Sequence, residues 1–268
     1  MMSYEMHAMT DVGIRRQHNE DCVSASAELG FAVLADGMGG YNAGEVASSM
    51  AVEIIGKALK ARMPDMPPAQ INAQTGFTEA SMLVRQSIEA ANEAIFTAAQ
   101  SKPECAGMGT TVLVAAFYGE HITAAHVGDS RMYRLRDNLL SHVTEDHSLV
   151  HEQVRRGLLT ADDARNSRIK NLVTRALGVE LGVEPDLVED MVRPDDIYLM
   201  SSDGLTDVVS DEAIAEVLRR CCSSLEKAGQ LLIDMANKAG GPDNISIILV
   251  KITQAKADSG FFSRFLKK

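Results

Sequence analysis

Three acids stand at the ends of apolar runs, and their positions constrain how this chain can run through space. The run from Phe31 to Ala35 closes on Asp36-Gly37, and the run from Ile197 to Ser201 closes, one serine later, on Asp203-Gly204. Asp243 instead stands just ahead of the run from Ile245 to Ile252. Each run reads as a strand, so two acids end their strands and the third opens its own. If the third strand runs antiparallel to the other two, all three carboxylates reach the same edge of the fold. Acids gathered on one edge repel each other, and a cation relieves them. The pattern points to a carboxylate site for hard divalent metals.

The rest of the composition sets bounds. A chain of 268 residues suits one large domain or two small ones, and nothing inside it reads as a linker. With 46% hydrophobic and 24% charged residues it can bury a sizeable core. Trp is absent and aromatics make up 4%, so that core must rest on Val, Ile, Leu, Ala and the 14 methionines. A formal net charge of −11 argues against a nucleic-acid partner, which would want a basic face. The four cysteines (Cys22, Cys105, Cys221, Cys222) lack zinc spacing, and neighbouring Cys221 and Cys222 are poorly placed to bridge each other. No signal-peptide core opens the chain and no stretch approaches the ~20 apolar residues of a membrane span. A reduced, cytoplasmic protein is the expectation.

Along the chain, residues 9–35 read as two strands around a polar turn. A helix is expected from Ala43 to Met63, with Val46, Met50, Ile54 and Leu59 as its apolar stripe, Asn42 as cap and Pro64 closing it. Thr78 to Gln100 reads as a second, Ala-rich helix. Thr110–Phe117 and Ile122–Leu135 form a hairpin across residues 118–121. His147 to Asn171 is polar, without a consistent apolar face, and reads as a mobile surface insertion. Two short helices follow, Asp211 to Cys222 and one opened by the capping box Ser223-x-x-Glu226, before the last strand. Hairpin spacing favours antiparallel sheets over βαβ alternation, with sheets sandwiched between helical layers.

Each chemical feature has a plain alternative. Asp-Gly is also a favoured hairpin turn, and alone each of these is better read as one. Two at strand ends, together with Asp243-Asn244, favour a site whose all-oxygen ligands select Mg²⁺ or Mn²⁺ over zinc. Several acids make room for two ions. Arg16-x-x-Asn19-Glu20-Asp21 is either a solvated charged turn or a phosphate-binding fork with two further acids. Gly128-Asp129-Ser130-Arg131 interrupts an apolar strand, which packing explains poorly; an Asp129–Arg131 ion pair is the alternative to a site role. His126 reads as packed core, and His147 as ordering the insertion or making a structural hydrogen bond.

Eight segments carry a resemblance: RQHNED (16–21), LADGMGG (34–40), GMGTT (107–111), HVGDSRMYRL (126–135), TEDHS (144–148), LVTRALG (172–178), SSDGLTD (201–207) and GGPDNIS (240–246). In this order they resemble the metal-dependent type 2C serine/threonine protein phosphatases in their compact bacterial form, from about Thr10 to Ile252. The resemblance implies an α+β, four-layer αββα sandwich of two central, mostly antiparallel sheets flanked by helices. It implies that Asp36, the Gly37 carbonyl, Asp203 and Asp243 hold two Mn²⁺ or Mg²⁺ ions, with Glu20 and Asp21 close by. Arg16 would bind the substrate phosphate, Asp129 with Asp203 would hold a weaker third ion, and residues 147–178 would be a flap. A water or hydroxide bridging the ions would attack phosphorus without a phosphoenzyme. Animal members place His after the first Asp-Gly as the proposed general acid; this chain has Met38, whose thioether donates no proton.

The expectation is therefore a phosphatase of phosphoserine and phosphothreonine in proteins, opposing a bacterial Ser/Thr kinase and acting as a monomer. The rivals are a hydrolase of small phosphate esters or diesters, and a non-catalytic phosphatase-like regulator. Residues 1–255 would form the catalytic domain and 256–268 a short basic, aromatic tail. Arg264, Lys267 and Lys268 give that tail +3, leaving −14 on the rest. Its phenylalanines offer the one expected contact with a membrane surface or a docking partner, against the commoner outcome of a frayed terminus.

Overall fold

The computed structural model describes residues 2–40, 43–65, 67–160, 163, 167 and 172–254. The apolar runs become strands buried on both faces. One sheet has the spatial order β1 (Met2–Asp11), β11 (Ile245–Gln254), β10 (Ile197–Ser201), β7 (Arg131–Arg136), β8 (Leu139–His142). The other runs β2 (Asp21–Ser26), β3 (Phe31–Met38), β5 (Val112–Tyr118), β6 (His121–Val127), β9 (Asp186–Met191), with β4 (Gly109–Thr110) paired to the end of β3. All of these pairings are antiparallel.

The period of two then sorts side chains into three cores. From β3, Phe31, Val33 and Ala35 pack toward helices α1 (Ala43–Arg62) and α2 (Glu79–Ser101), while Ala32 and Leu34 face the other sheet. From β11, Ile248, Val250 and Ile252 enter that inter-sheet core, while Ile245, Ile247 and Leu249 meet helices α5 (Asp211–Arg220) and α6 (Leu225–Lys238). Helix, sheet, sheet, helix is the four-layer order the resemblance implies. An inner sheet covered on both sides needs continuous apolar runs, which is why the sequence shows runs rather than alternation.

Several expectations shift. Three strands, not two, precede α1, and β1 begins at Met2. The buried face of α1 is Ala47, Ala51, Ile55 and Leu59, whereas Val46 is 41% exposed. Alanine carries little weight in an apolar stripe, yet it lets the helix lie close on β3. Pro64 falls in a 3₁₀ turn, Met63–Asp65, while Asn42 lies outside the described residues. The last long helix is capped by Ser224, whose Oγ accepts from the Lys227 N–H, one residue later than the expected box. The run Ile122–Leu135 is two strands in different sheets. The expected insertion holds a short helix, α3 (Leu149–Arg155), capped by Ser148; positions 161–162, 164–166 and 168–171 within it, and the tail 255–268, lie outside the described residues.

Candidate metal centre

Register brings the acids together. Asp36, near the end of β3, sits opposite Asp21 on β2. Asp203 follows β10 as the first residue of α4 (Asp203–Thr206), and Asp243 precedes β11, which runs antiparallel to β10. The two sheets thus deliver these acids to a shared edge. Neither Asp-Gly is a hairpin turn. A Cβ on Gly37 would stand 2.1 Å from the Gly44 carbonyl oxygen and 2.6 Å from that of Glu20. A Cβ on Gly204 would stand 2.0 Å from the Asn244 carbonyl oxygen. Each glycine is there because backbone from another element lies against it.

The loop between β1 and β2 is fastened to this edge by Asn244. Its Nδ2 donates to the carbonyls of Val12 (2.8 Å) and His18 (2.9 Å), and its Oδ1 accepts from the Glu20 N–H (2.9 Å). The loop carries Arg16, whose Nη2 donates to Asp243 Oδ2 at 2.6 Å across a half-exposed contact. Ser202 Oγ donates to Asp21 Oδ2 at 2.9 Å. Thr111 clasps Asp36 by its backbone: the Thr111 N–H donates to the Asp36 carbonyl (2.8 Å), and Thr111 Oγ1 accepts from the Asp36 N–H (3.1 Å).

Gly128-Asp129-Ser130 is where the chain leaves β6 in one sheet and enters β7 in the other. That crossing explains a charged interruption in an apolar stretch. Gly128 has φ +113°, and a Cβ there would lie 2.6 Å from Thr111 side-chain atoms, so only glycine fits. Asp129 is buried, and Arg131 does not pair with it. Arg131 makes a forked contact with Asp146 instead, with Nε at 2.9 and 3.0 Å and Nη2 at 2.6 Å.

The electrostatics are those of crowded carboxylates. Burial first, then neighbouring acids, push the Asp36 and Asp203 carboxyls well above the ordinary range. Burial also lifts Asp21 and Asp129 to about 6, and raises Glu20. Asp129 is the neighbouring charge that bears most on Asp203. Asp21 Oδ1 and Asp203 Oδ1 are buried without a hydrogen-bond partner. Charged, desolvated, all-oxygen groups with unused lone pairs suit a hard divalent cation, which would relieve the repulsion and the missing bonds together. Among the described residues, though, no three of these acids have ligand atoms within 4.8 Å of one another; only His126, His147 and Asp186 do.

Sequence reasoning singled out the acids and Arg16 but missed what holds them. Asn244, Ser202, Thr111 and Asp146 are hydrogen-bonding supports, and short-range pattern gives no signal for partners 15 to 232 positions away.

Known proteins resemble this chain along most of its length. The profile of the protein phosphatase 2C family matches residues 11–238. The serine/threonine phosphatase Stp of Listeria monocytogenes is 39% identical over 261 residues, covering 95% of this chain and 100% of that protein. The crystal structure of the Mycobacterium tuberculosis serine/threonine phosphatase PstP/Ppp superposes with a TM-score of 0.84 at 35% identity, covering 94% of this chain and 100% of that one. A structure of the PstP catalytic domain in complex with two manganese ions gives a TM-score of 0.81 at 35% identity, over 95% of this chain and 100% of that chain. The chain belongs to the protein phosphatase 2C family.

Proposed function

We propose that this protein hydrolyses phosphoserine and phosphothreonine in other proteins, with two Mn²⁺ or Mg²⁺ ions held at Asp36, the Gly37 carbonyl, Asp203 and Asp243. Glu20 and Asp21 stand beside that pair, and Asp129 with Asp203 holds a weaker third ion. The observation that carries the reading is the set of buried, mutually repelling carboxylates from both sheets, two of them with unpartnered oxygens. When bound, the ions supply positive charge to the phosphoryl oxygens and make a water acidic enough to act as the nucleophile.

The chain's own residues orient and select. Arg16, on a loop pinned by Asn244, offers a guanidinium fork at the rim beside Asp243, where a phosphate's two oxygens replace the carboxylate partner. Gly37 and Gly204 admit the backbone of Gly44 and Asn244 beside the acids, and the Gly37 carbonyl would serve as a ligand. Met38 lines the same edge and offers no proton. Action as a monomer is part of this reading. Phosphorylated substrates require a protein Ser/Thr kinase as the opposing enzyme. The cysteines Cys22, Cys105, Cys221 and Cys222 are free, in keeping with a cytoplasmic setting, and no described helix is long and apolar enough to cross a membrane.

The test is a pair of assays with Mn²⁺, one on a phosphothreonine peptide and one on an aryl phosphodiester. Faster turnover of the peptide is expected. Faster turnover of the diester would defeat the reading in favour of the diesterase alternative.

A further inference from the structure

His126 and His147 take no part in the acid cluster, yet they are 2% and 4% exposed and their rings stack with centroids 4.4 Å apart. His126 Nδ1 and His147 Nε2 lack hydrogen-bond partners, and with Asp186 these side chains form the group whose ligand atoms lie within 4.8 Å. Their other bonds argue against a metal there. His126 Nε2 lies 2.6 Å from the Glu145 carbonyl oxygen and must donate, which leaves the lone pair on Nδ1. The Gly128 N–H donates to His147 Nδ1 at 3.1 Å, so the proton of that ring sits on Nε2, facing Asp186 Oδ2 at 3.3 Å. A ligating imidazole donates from its second nitrogen; His147 accepts there, and its Nε2 holds a proton where a metal needs a lone pair.

The bonds of His147 converge instead on the turn that carries Asp129. Besides the side-chain bond, the His147 N–H donates to the Gly128 carbonyl at 2.9 Å. The His147 carbonyl accepts from the Thr174 N–H at 2.7 Å, and Asp186, facing Nε2, is held by Arg175 Nη1 at 2.7 Å. One residue therefore joins both ends of the 147–178 segment to Gly128. On the other side of the turn, Ser130 Oγ and Thr111 Oγ1 lie 2.9 Å apart, and Thr111 holds the Asp36 backbone. Asp129 sits between a clasp to Asp36 and a clasp to His147.

We propose that His147 is a positioning residue for Asp129: by accepting from the Gly128 N–H it fixes the Gly128-Asp129 turn, so that ion binding at Asp129 is coupled to the His147–Gly128 bond. This rests on the reading that Asp129 helps to hold a third, weaker ion.

The experiment is calorimetric titration of the full chain with Mn²⁺, with melting curves as a folding control. Wild type is expected to bind a tight pair and one weaker ion, and Asp129→Asn to lose the weaker one. His147→Ala should weaken that ion by about 10–100-fold and leave the tight pair intact. His147→Asn places Oδ1 where Nδ1 stood, keeps the Gly128 bond, and should restore the weaker ion to within about threefold of wild type. Selective loss in the Ala variant with rescue by Asn supports the proposal, and a merely structural role would lower all three affinities together. If Asp129→Asn loses the weaker ion and His147→Ala keeps it, the coupling is wrong. Equal loss in the Ala and Asn variants also overturns it, and if the Ala variant fails to fold, the Asn variant decides alone. If Asp129→Asn keeps all three ions, the third-ion reading itself fails, and the coupling with it.

Discussion

Asp21→Asn should stabilise the metal-free protein at neutral pH, although it alters a buried polar residue. Asp21 lies opposite Asp36, accepts one hydrogen bond from Ser202 through Oδ2, and has an unpartnered Oδ1. Burial raises its carboxyl from 3.8 to about 6, an effect that its polar neighbours Ser246, Ser202 and Asp36 only partly offset. At 1.36 kcal/mol per pH unit, holding this residue ionised costs the fold ~3 kcal/mol. The folded chain binds the proton more tightly than the unfolded one. The stability present in full below about pH 4 is therefore lost as pH rises through about 6, and it is absent at pH 7.5. Asn is neutral throughout: its Oδ1 keeps the Ser202 bond and its amide can donate toward Asp36. Urea and thermal unfolding in EDTA should show a gain of roughly 2–3 kcal/mol at pH 7.5, or roughly 5–10 °C for a chain of this size. The gain should shrink toward zero near pH 4, and saturating Mn²⁺ should reverse the order by stabilising wild type more. A gain of equal size at both pH values, or a loss at pH 7.5 in EDTA, would show that Asp21 ionisation does not burden the fold.

Three further outcomes follow from the same geometry. Arg16→Ala should lower kcat/KM on a phosphopeptide about 10–100-fold with little change in melting temperature, because its ion pair with Asp243 is half-exposed; Arg16→Lys should recover only part, lacking the fork. Gly204→Ala, whose Cβ would stand 2.0 Å from the Asn244 carbonyl oxygen, should destabilise by about 1–3 kcal/mol and weaken Mn²⁺ binding in calorimetry. Gly56→Ala, inside α1 with nothing within 4 Å of the added methyl, should instead raise stability by about 1 kcal/mol in urea melts.

What the sequence made legible follows from burial. β3, β5, β10 and β11 lie in sheets covered on both sides, so they announce themselves as unbroken apolar runs. The acids at their ends were readable for the same reason: a charge that closes an apolar run stands out. α2 was readable from its length and its alanines; Thr78, expected as its first residue, is its N-cap. Less visible was β8, joined to β7 by Asp137 and Asn138, both at positive φ; that pair is a two-residue hairpin signal without glycine. The face of α1 was misread because its contacts with β3 are made by alanines. The switch of sheets at Gly128 read as a site feature, with an Asp129–Arg131 ion pair as the alternative, whereas the topology also requires it. His126 and His147 read as separate, ordinary histidines, since only the folded chain stacks them and aims one at Gly128. Local pattern carries strands and caps; it does not carry hydrogen bonds between distant loops.

If the Asp36–Asp203–Asp243 edge holds the ions that drive hydrolysis of phosphorylated serine and threonine, activity must follow ion binding there. The most direct measurement strips wild type and Asp203→Asn with EDTA, then follows Mn²⁺ binding and phosphothreonine-peptide turnover in the same samples. Wild type should bind Mn²⁺ and regain activity in step. Asp203→Asn should fold, bind Mn²⁺ far more weakly and turn over at least about a hundredfold more slowly. Full activity in EDTA, or an Asp203→Asn variant as active as wild type, would contradict it.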